Sequence, residues 1–131
     1  MAIPGCPFCN IPEERITGRN KLAFSTWDVH PVTKGHTLVI PFRHVASFFE
    51  TTPEEKVAVL EIIGFAREFL DERYHPEGYN IGVNVGAAAG QAVMHVHFHV
   101  IPRYRGDSGG RGSGLRYVIQ KPCVWQETLP E

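Results

Sequence analysis

Three histidines, His95, His97 and His99, alternate with apolar residues in the run "MHVHFHV" (Met94 to Val100). Imidazole can ligate a metal, act as a base or nucleophile, or donate hydrogen bonds near neutral pH. On an extended strand the three rings share one face, spaced roughly 6.5–7 Å apart, and Val96, Phe98 and Val100 take the other. A merely solvated face favours Lys, Glu and Thr over three histidines. Two readings remain open. One is a catalytic zinc held by three histidines and a water. The other divides the roles among a nucleophile or base and donors to a substrate.

Just upstream lies "GAAAGQ" (Gly86 to Gln91), a small-residue loop whose backbone N–H groups an anion can approach closely. Asn84 and Gln91 add neutral donors. Imidazoles, amides and such a loop together describe a phosphate site. Cys6 and Cys9 form a C-x-x-C pair near the N-terminus, with Pro7 inside it and no strand before it. A redox-active pair sits between a strand and a helix, so metal binding is the better reading here.

The elements that must position these residues follow from periodicity and punctuation. Lys21 to Asp28 and His36 to Pro41 read as strands joined by the turn "HPVTKGH", which predicts an antiparallel pair. A helix should start at Thr52, the N-cap, with Pro53 at its first position and Glu55 closing a capping box. Val59, Ile62, Ile63, Ala66, Phe69 and Leu70 form its apolar stripe, and Pro76 and Gly78 stop it. Further strands are expected over Tyr79 to Val85, Val93 to Pro102 and Leu115 to Ile119, with a flexible loop at 106–114. The order β-β-α-β-β-β predicts an α+β fold, a five-stranded antiparallel meander sheet packed on one long helix.

With 131 residues and a net charge of −1, the chain is long enough for one domain and has no basic face that predicts nucleic-acid binding. No apolar run approaches a membrane span, and "MAIPGCPFCN" does not read as a signal peptide. A cytoplasmic setting is expected.

The run "GYNIGVNVGAAAGQAVMHVHFHVIPRYRGD" resembles the histidine-triad (HIT) superfamily. His95-Val96-His97-Phe98-His99-Val100-Ile101 fits every position of its His-φ-His-φ-His-φ-φ signature, where φ is apolar. "CPFC", "DVHPVTKGHTLVIPFRH" and the capped helix are also placed as in bacterial members, so the whole chain, 1–131, looks like one such domain. It is more similar to the small nucleotide hydrolases, including diadenosine polyphosphate hydrolases, than to the larger uridylyltransferases.

The resemblance implies a nucleotidyl hydrolase or transferase acting through a covalent nucleotidyl-histidine. His97 matches the nucleophile that attacks the α-phosphorus. His99 matches the donor to phosphate or leaving group. Asn84 and Gln91 match polar contacts to phosphate, and His36 a further active-site histidine. Asp28 matches an acceptor for the ribose hydroxyls, although it also suits a turn cap before Pro31. Phe8 and Ile11 are candidate walls of the nucleobase pocket. In zinc-carrying members the metal binds positions matching Cys6, Cys9, His44 and His95. Four protein ligands would make this zinc structural, tying the segment 1–15 to the histidine strand, with no catalytic metal required. The alternative to an enzyme is a nucleotide-binding sensor with incidental hydrolysis. Ala92 stands where many members carry Ser or Thr. Arg103, Arg105 and Arg116 are candidate contacts for a polyphosphate tail, and Cys123 has no assigned role. Homodimers pairing through the helix and an edge strand are common in the family; Phe65, Ile81 and Val83 are candidates for that surface.

Overall fold

The computed structural model describes residues 2–108 and 114–115. Five strands form one sheet: β1 (Ile16–Arg19), β2 (Ala23–Trp27), β3 (Thr37–Pro41), β4 (Gly78–Val83) and β5 (Phe98–Arg103). Helix α1 (Pro53–Tyr74) connects β3 to β4. Residues 116–119 of the expected last strand, most of the 106–114 loop, Arg116 and Cys123 lie outside the described residues.

The sheet order is β1-β2-β3-β5-β4, with every pairing antiparallel. The first three strands form a meander, of which only the β2-β3 pair was expected. The helix then carries the chain past β3, so β4 takes the edge and β5 fills the place between them. The strand β1 was not expected. Its sequence, Ile-Thr-Gly-Arg, buries no residue fully, and its pairing with β2 is irregular between Ile16 and Gly18. Its four residues offer Ile16 and Gly18 inward, one apolar side chain in all, too short a run to show a period-two pattern. Asn20 makes the turn after it by accepting from Leu22 N–H at 3.1 Å and Ala23 N–H at 2.9 Å.

Helix α1 starts as the sequence requires. The Thr52 hydroxyl accepts from Glu55 N–H at 3.0 Å, and the Glu55 carboxylate accepts from Thr52 N–H at 2.8 Å. Glu55 is buried and also takes both Arg43 Nε (3.1 Å) and an Arg43 terminal nitrogen (2.8 Å), which tethers the segment after β3 to the helix start. His75 ends the helix in the left-handed region at φ 51°. Val59, Ile62, Ala66 and Leu70 are buried against the sheet, whereas Phe69, the last aromatic of the stripe, is 43% exposed.

Register sorts the two sheet faces. Ser25 pairs with Val39, Thr37 with Val100 and Ile81 with Val100, which puts Ala23, Val39, Phe98 and Val100 on the helix side. Phe24, Leu38 and Ile40 point the other way, where Phe8, Ile11 and Ile16 of the N-terminal segment pack on them. His99 and Asn84 belong to this second face, and the site forms there.

The expected strand at Val93 to Pro102 is shorter than its pattern. Register would pair Val96 with Pro41, and a proline has no N–H to continue the ladder. Val96 N–H turns instead to Val45 C=O at 2.8 Å. The alternation of sides survives the bend: Val96, Phe98 and Val100 join the core, and the histidines face away from it.

Candidate active site

The three histidines do not converge on one point. Each is oriented by a different partner. His95 is fully buried, and its Nε2 lies 2.8 Å from Pro41 C=O. A carbonyl only accepts, so Nε2 carries the proton and Nδ1 presents a lone pair. That Nδ1 lies 3.5 Å from Cys6 Sγ and 3.7 Å from Cys9 Sγ, while His44 Nδ1 lies 3.2 Å from Cys9 Sγ. The four ligand atoms all fall within 4.8 Å of one another. Two thiols and two imidazoles at this spacing match a closed tetrahedral zinc shell, and the proton on His95 Nε2 leaves its ligand nitrogen facing the sulfurs. Burial is the main cause that pushes the Cys6 thiol above its ordinary value, reinforced by Cys9, and the His95 imidazole below its own, reinforced by His44 and His97. A bound cation would favour the thiolates and neutral imidazoles such a shell needs.

His97 is 8% exposed, and its Nδ1 donates to the His95 carbonyl at 2.9 Å. The Nε2 lone pair is thereby left for chemistry. His97 and His99 line a cavity of about 490 Å³, shared with Phe8, Ile11, Trp27, Asp28, Asn84 and Val93. That volume suits a small ligand such as a nucleoside phosphate. Phe8 stands edge-on to His97 with ring centroids 5.0 Å apart. Because Phe8 lies between the two cysteines, the metal-ligand loop and one cavity wall are the same stretch of chain.

His36, Asp28 and His99 form the other polar cluster. His36 is buried; its Nδ1 accepts Val32 N–H at 3.0 Å and its Nε2 lies 2.9 Å from His99 Nδ1. Asp28 accepts His30 N–H through Oδ1 at 2.8 Å, so it does cap the turn before Pro31. Its Oδ2 lies 3.3 Å from His36 Nε2 and 3.9 Å from His99 Nδ1. These three side chains also have the spacing of a metal triad. The Val32 amide argues against one, because it occupies the His36 lone pair and leaves an N–H, which cannot ligate, facing the cluster. Burial is the main reason that His99 is depressed to about 4, reinforced by the neighbouring His97 and His36. Burial also lowers His36, with the Asp28 carboxylate opposing it.

Gln91 departs from its expected role. Its side chain is buried; Nε2 donates to Ala46 C=O at 2.6 Å and to Val93 C=O at 3.0 Å, and Oε1 accepts Gly86 N–H at 2.9 Å. Both amide hydrogens are spent on backbone, and the residue does not line the cavity. Gln91 braces the loop rather than facing a phosphate. The loop's own turns likewise consume the N–H groups of Ala89, Gly90 and Gln91. Among the described residues, the N–H groups of Ala92 and Val93 have no protein acceptor, and both residues line the cavity. Asn84 lines it too, with a long 3.5 Å contact to Gly90 C=O. Arg103 is engaged by Asp107 (2.9 and 2.8 Å) and Asn80 (2.6 Å), and Arg105 by Glu77 (2.7 Å). A separate cavity of about 270 Å³ opens on the helix side between Trp27, Phe65 and Phe69.

Residues 10–106 match the HIT domain family model. This chain belongs to the HIT domain family. An uncharacterized HIT-like protein of Methanocaldococcus jannaschii is 41% identical over 132 residues, covering 96% of this chain and 97% of its own. The AP-4-A phosphorylase of Mycobacterium tuberculosis is 32% identical over 113 residues, which are 82% of this HIT protein but 58% of the phosphorylase. Among solved structures, a Zn-bound histidine triad family protein from Mycobacterium smegmatis superposes with a TM-score of 0.71 at 34% identity, covering 79% of this chain and 78% of that one. The five-stranded antiparallel sheet with one packed helix is the fold shared with such neighbours. Among the described residues no helix is long and apolar enough to cross a membrane.

The sequence missed the groups that aim the histidines. Pro41 C=O, His95 C=O and Val32 N–H are backbone atoms with no residue-type signature. Trp27, Val29 and Leu38 line the cavity but read as ordinary strand and turn residues.

Proposed function

We propose that this HIT protein cleaves the α-phosphate bond of an adenosine-type nucleotide through a covalent nucleotidyl-His97, using the whole chain as one catalytic domain. The observation that carries the reading is the 2.9 Å bond from His97 Nδ1 to the His95 carbonyl, which turns Nε2 into the nucleophile facing the cavity. The amides of Ala92 and Val93 serve the α-phosphate oxygens, so the missing hydroxyl at Ala92 costs one contact and not the phosphate site. Asn84 and the His99 Nε2–H add donors. Asp28 takes the ribose hydroxyls with lone pairs left over from its turn contact, His36 orients His99, and Phe8 stands against the base. The dinucleoside polyphosphate, phosphoramidate and acyl adenylate classes all present the required α-phosphorus.

Zinc held by Cys6, Cys9, His44 and His95 is structural in this reading. It fixes Phe8 and His95, and through His95 the acceptor for His97. A reducing cytoplasm keeps both thiols available to it. A homodimer through edge strand β4 and helix α1 fits the exposure of Leu60 (67%), Val57 (56%) and Ile81 (46%). Phe65 is 62% exposed but belongs to the cavity beside Trp27, and is left out of that surface. Light scattering at micromolar concentration checks this, and a monomer there removes the dimer.

The deciding experiment is mass-spectrometric trapping of a nucleotidyl adduct on His97, with His97→Ala beside it. The variant should lose turnover and retain nucleotide binding. Full turnover by His97→Ala would remove the mechanism.

A further inference from the structure

His99 is the cavity donor closest in kind to a catalytic acid, so its protonation governs which leaving groups can depart. Its state follows from a chain of hydrogen bonds that begins on the backbone. Val32 N–H, which can only donate, meets His36 Nδ1 at 3.0 Å. A neutral imidazole has one accepting and one donating nitrogen. His36 therefore carries its proton on Nε2, where it meets His99 Nδ1 at 2.9 Å. His99 Nδ1 must accept, and the only proton of His99 sits on Nε2.

A second proton on His99 has no place. It would set a Nδ1–H against the His36 Nε2–H. Moving the His36 proton to Nδ1 would set that against the Val32 amide. The Asp28 carboxylate does not relieve this, because its Oδ2 is 3.9 Å from His99 Nδ1, beyond hydrogen-bond reach. The depressed affinity of buried His99 for a proton points the same way.

We propose that His99 is a locked neutral hydrogen-bond donor and not a proton donor, so that the site selects substrates whose leaving group departs as an anion. Such groups are a polyphosphate oxygen or a carboxylate; alkylamines are disfavoured. This rests on the nucleotidyl-transfer reading and narrows its substrate class. In the first step the His97 Nε2–P bond forms while the P–O bond breaks, and its electron pair leaves with the oxygen. No proton moves, and the His99 Nε2–H shares a hydrogen bond with the developing charge. His97 is left as a phosphorylated cation whose Nδ1–H faces the His95 carbonyl. Water then forms the new O–P bond, the N–P pair returns to Nε2, and the water's proton passes to solvent. An amine would have to leave as an amide anion unless it were protonated. The other titratable side chains lining the cavity are Arg15, Asp28, His30 and His97, of which His30 is exposed to solvent and the alternative source.

The test compares kcat/KM on four AMP derivatives: acetyl adenylate, the p-nitrophenyl ester, the phenyl ester and an alkylamine phosphoramidate. General acid assistance contributes about 10²- to 10⁴-fold, so the amidate should trail the acetyl adenylate by at least about 10²-fold. Rates should also fall steeply from the p-nitrophenyl to the phenyl ester. An amidate cleaved as fast as the acyl phosphate, with or without His30→Gln, overturns the proposal, as does a flat ester series. Long-range ¹⁵N–¹H spectra at about pH 6, assigned with His99→Gln, should show His36 and His99 neutral with protons on Nε2, although an ordinary imidazole is mostly charged there. A His99 imidazolium at that pH overturns the lock. No turnover of any derivative would instead refute nucleotidyl transfer itself, and the selectivity with it.

Discussion

Replacing Gln91 with alanine separates a loop brace from a substrate contact. The side chain is 4% exposed and makes three hydrogen bonds, two to carbonyls and one from an amide. Each such bond is worth about 1 kcal/mol net, and a partner left buried and unpaired costs about 1–3 kcal/mol. Water can enter the shortened site and satisfy some of the three partners. Gln91→Ala should therefore lose about 2–4 kcal/mol of stability, rather than the sum of three full penalties. Gln91→Glu is a stricter probe. It keeps the acceptor for Gly86 N–H but turns a carboxylate oxygen toward the Ala46 and Val93 carbonyls, so it should destabilise at least as much at pH 7. Urea unfolding, with the midpoint and slope fitted together, measures both. Gly86 and Val93 flank the loop that presents the cavity amides, so nucleotide affinity should fall alongside stability. A Gln91→Ala protein as stable as the parent, with a raised KM alone, would refute the brace and restore Gln91 as a substrate donor.

Purified protein should hold one zinc per chain, read by elemental analysis. Cys9→Ser or prolonged chelation should remove it and lower Tm; an unchanged Tm with no stoichiometric metal sinks the structural-zinc site. His99 also links stability to pH. Its folded pKa of about 4 lies below the ordinary 6.5, so the unfolded chain binds the extra proton more readily. This contribution is fully present above about pH 6.5 and is lost as pH falls toward 4, amounting to about 3 kcal/mol at most. Depressed His36 acts in the same direction. Urea midpoints between pH 7 and pH 4.5 should show a decline that His99→Gln makes shallower; an identical slope in that variant would contradict the burial argument.

Much of the site was legible because chemistry-bearing residue types are rare on ordinary surfaces. The capping box at Thr52 and Glu55 formed as written, since both partners are local and three residues apart. The period-two alternation put Val96, Phe98 and Val100 in the core and the histidines opposite them. The resemblance to zinc-carrying members named Cys6, Cys9, His44 and His95 as one group, and they do converge, although 35 to 89 residues separate their hydrogen-bonded pairs. Strand β1 escaped because its four residues present only Ile16 as an apolar inward side chain, with Gly18 at the other inward position. The early end of the histidine strand depended on Pro41, a residue of a different strand, and pattern along one segment cannot register a missing N–H on its neighbour.

The sequence by itself determined which side chains exist to do chemistry, which side of the strand they take, and where the helix begins. Tertiary structure alone decided how each histidine is held. His95, His97 and His99 are the same residue at equal spacing, and only a distant partner distinguishes them: Pro41 C=O turns His95 toward the thiols, His95 C=O frees Nε2 of His97, and the Val32 amide acts through His36 to fix His99. Gln91, a plausible phosphate donor on composition, became a brace because the fold brought Ala46 within 2.6 Å of its amide. The physical reason is common to all four. An imidazole or amide is a donor or an acceptor according to what it faces, and what it faces is set by backbone atoms that every sequence carries and none advertises.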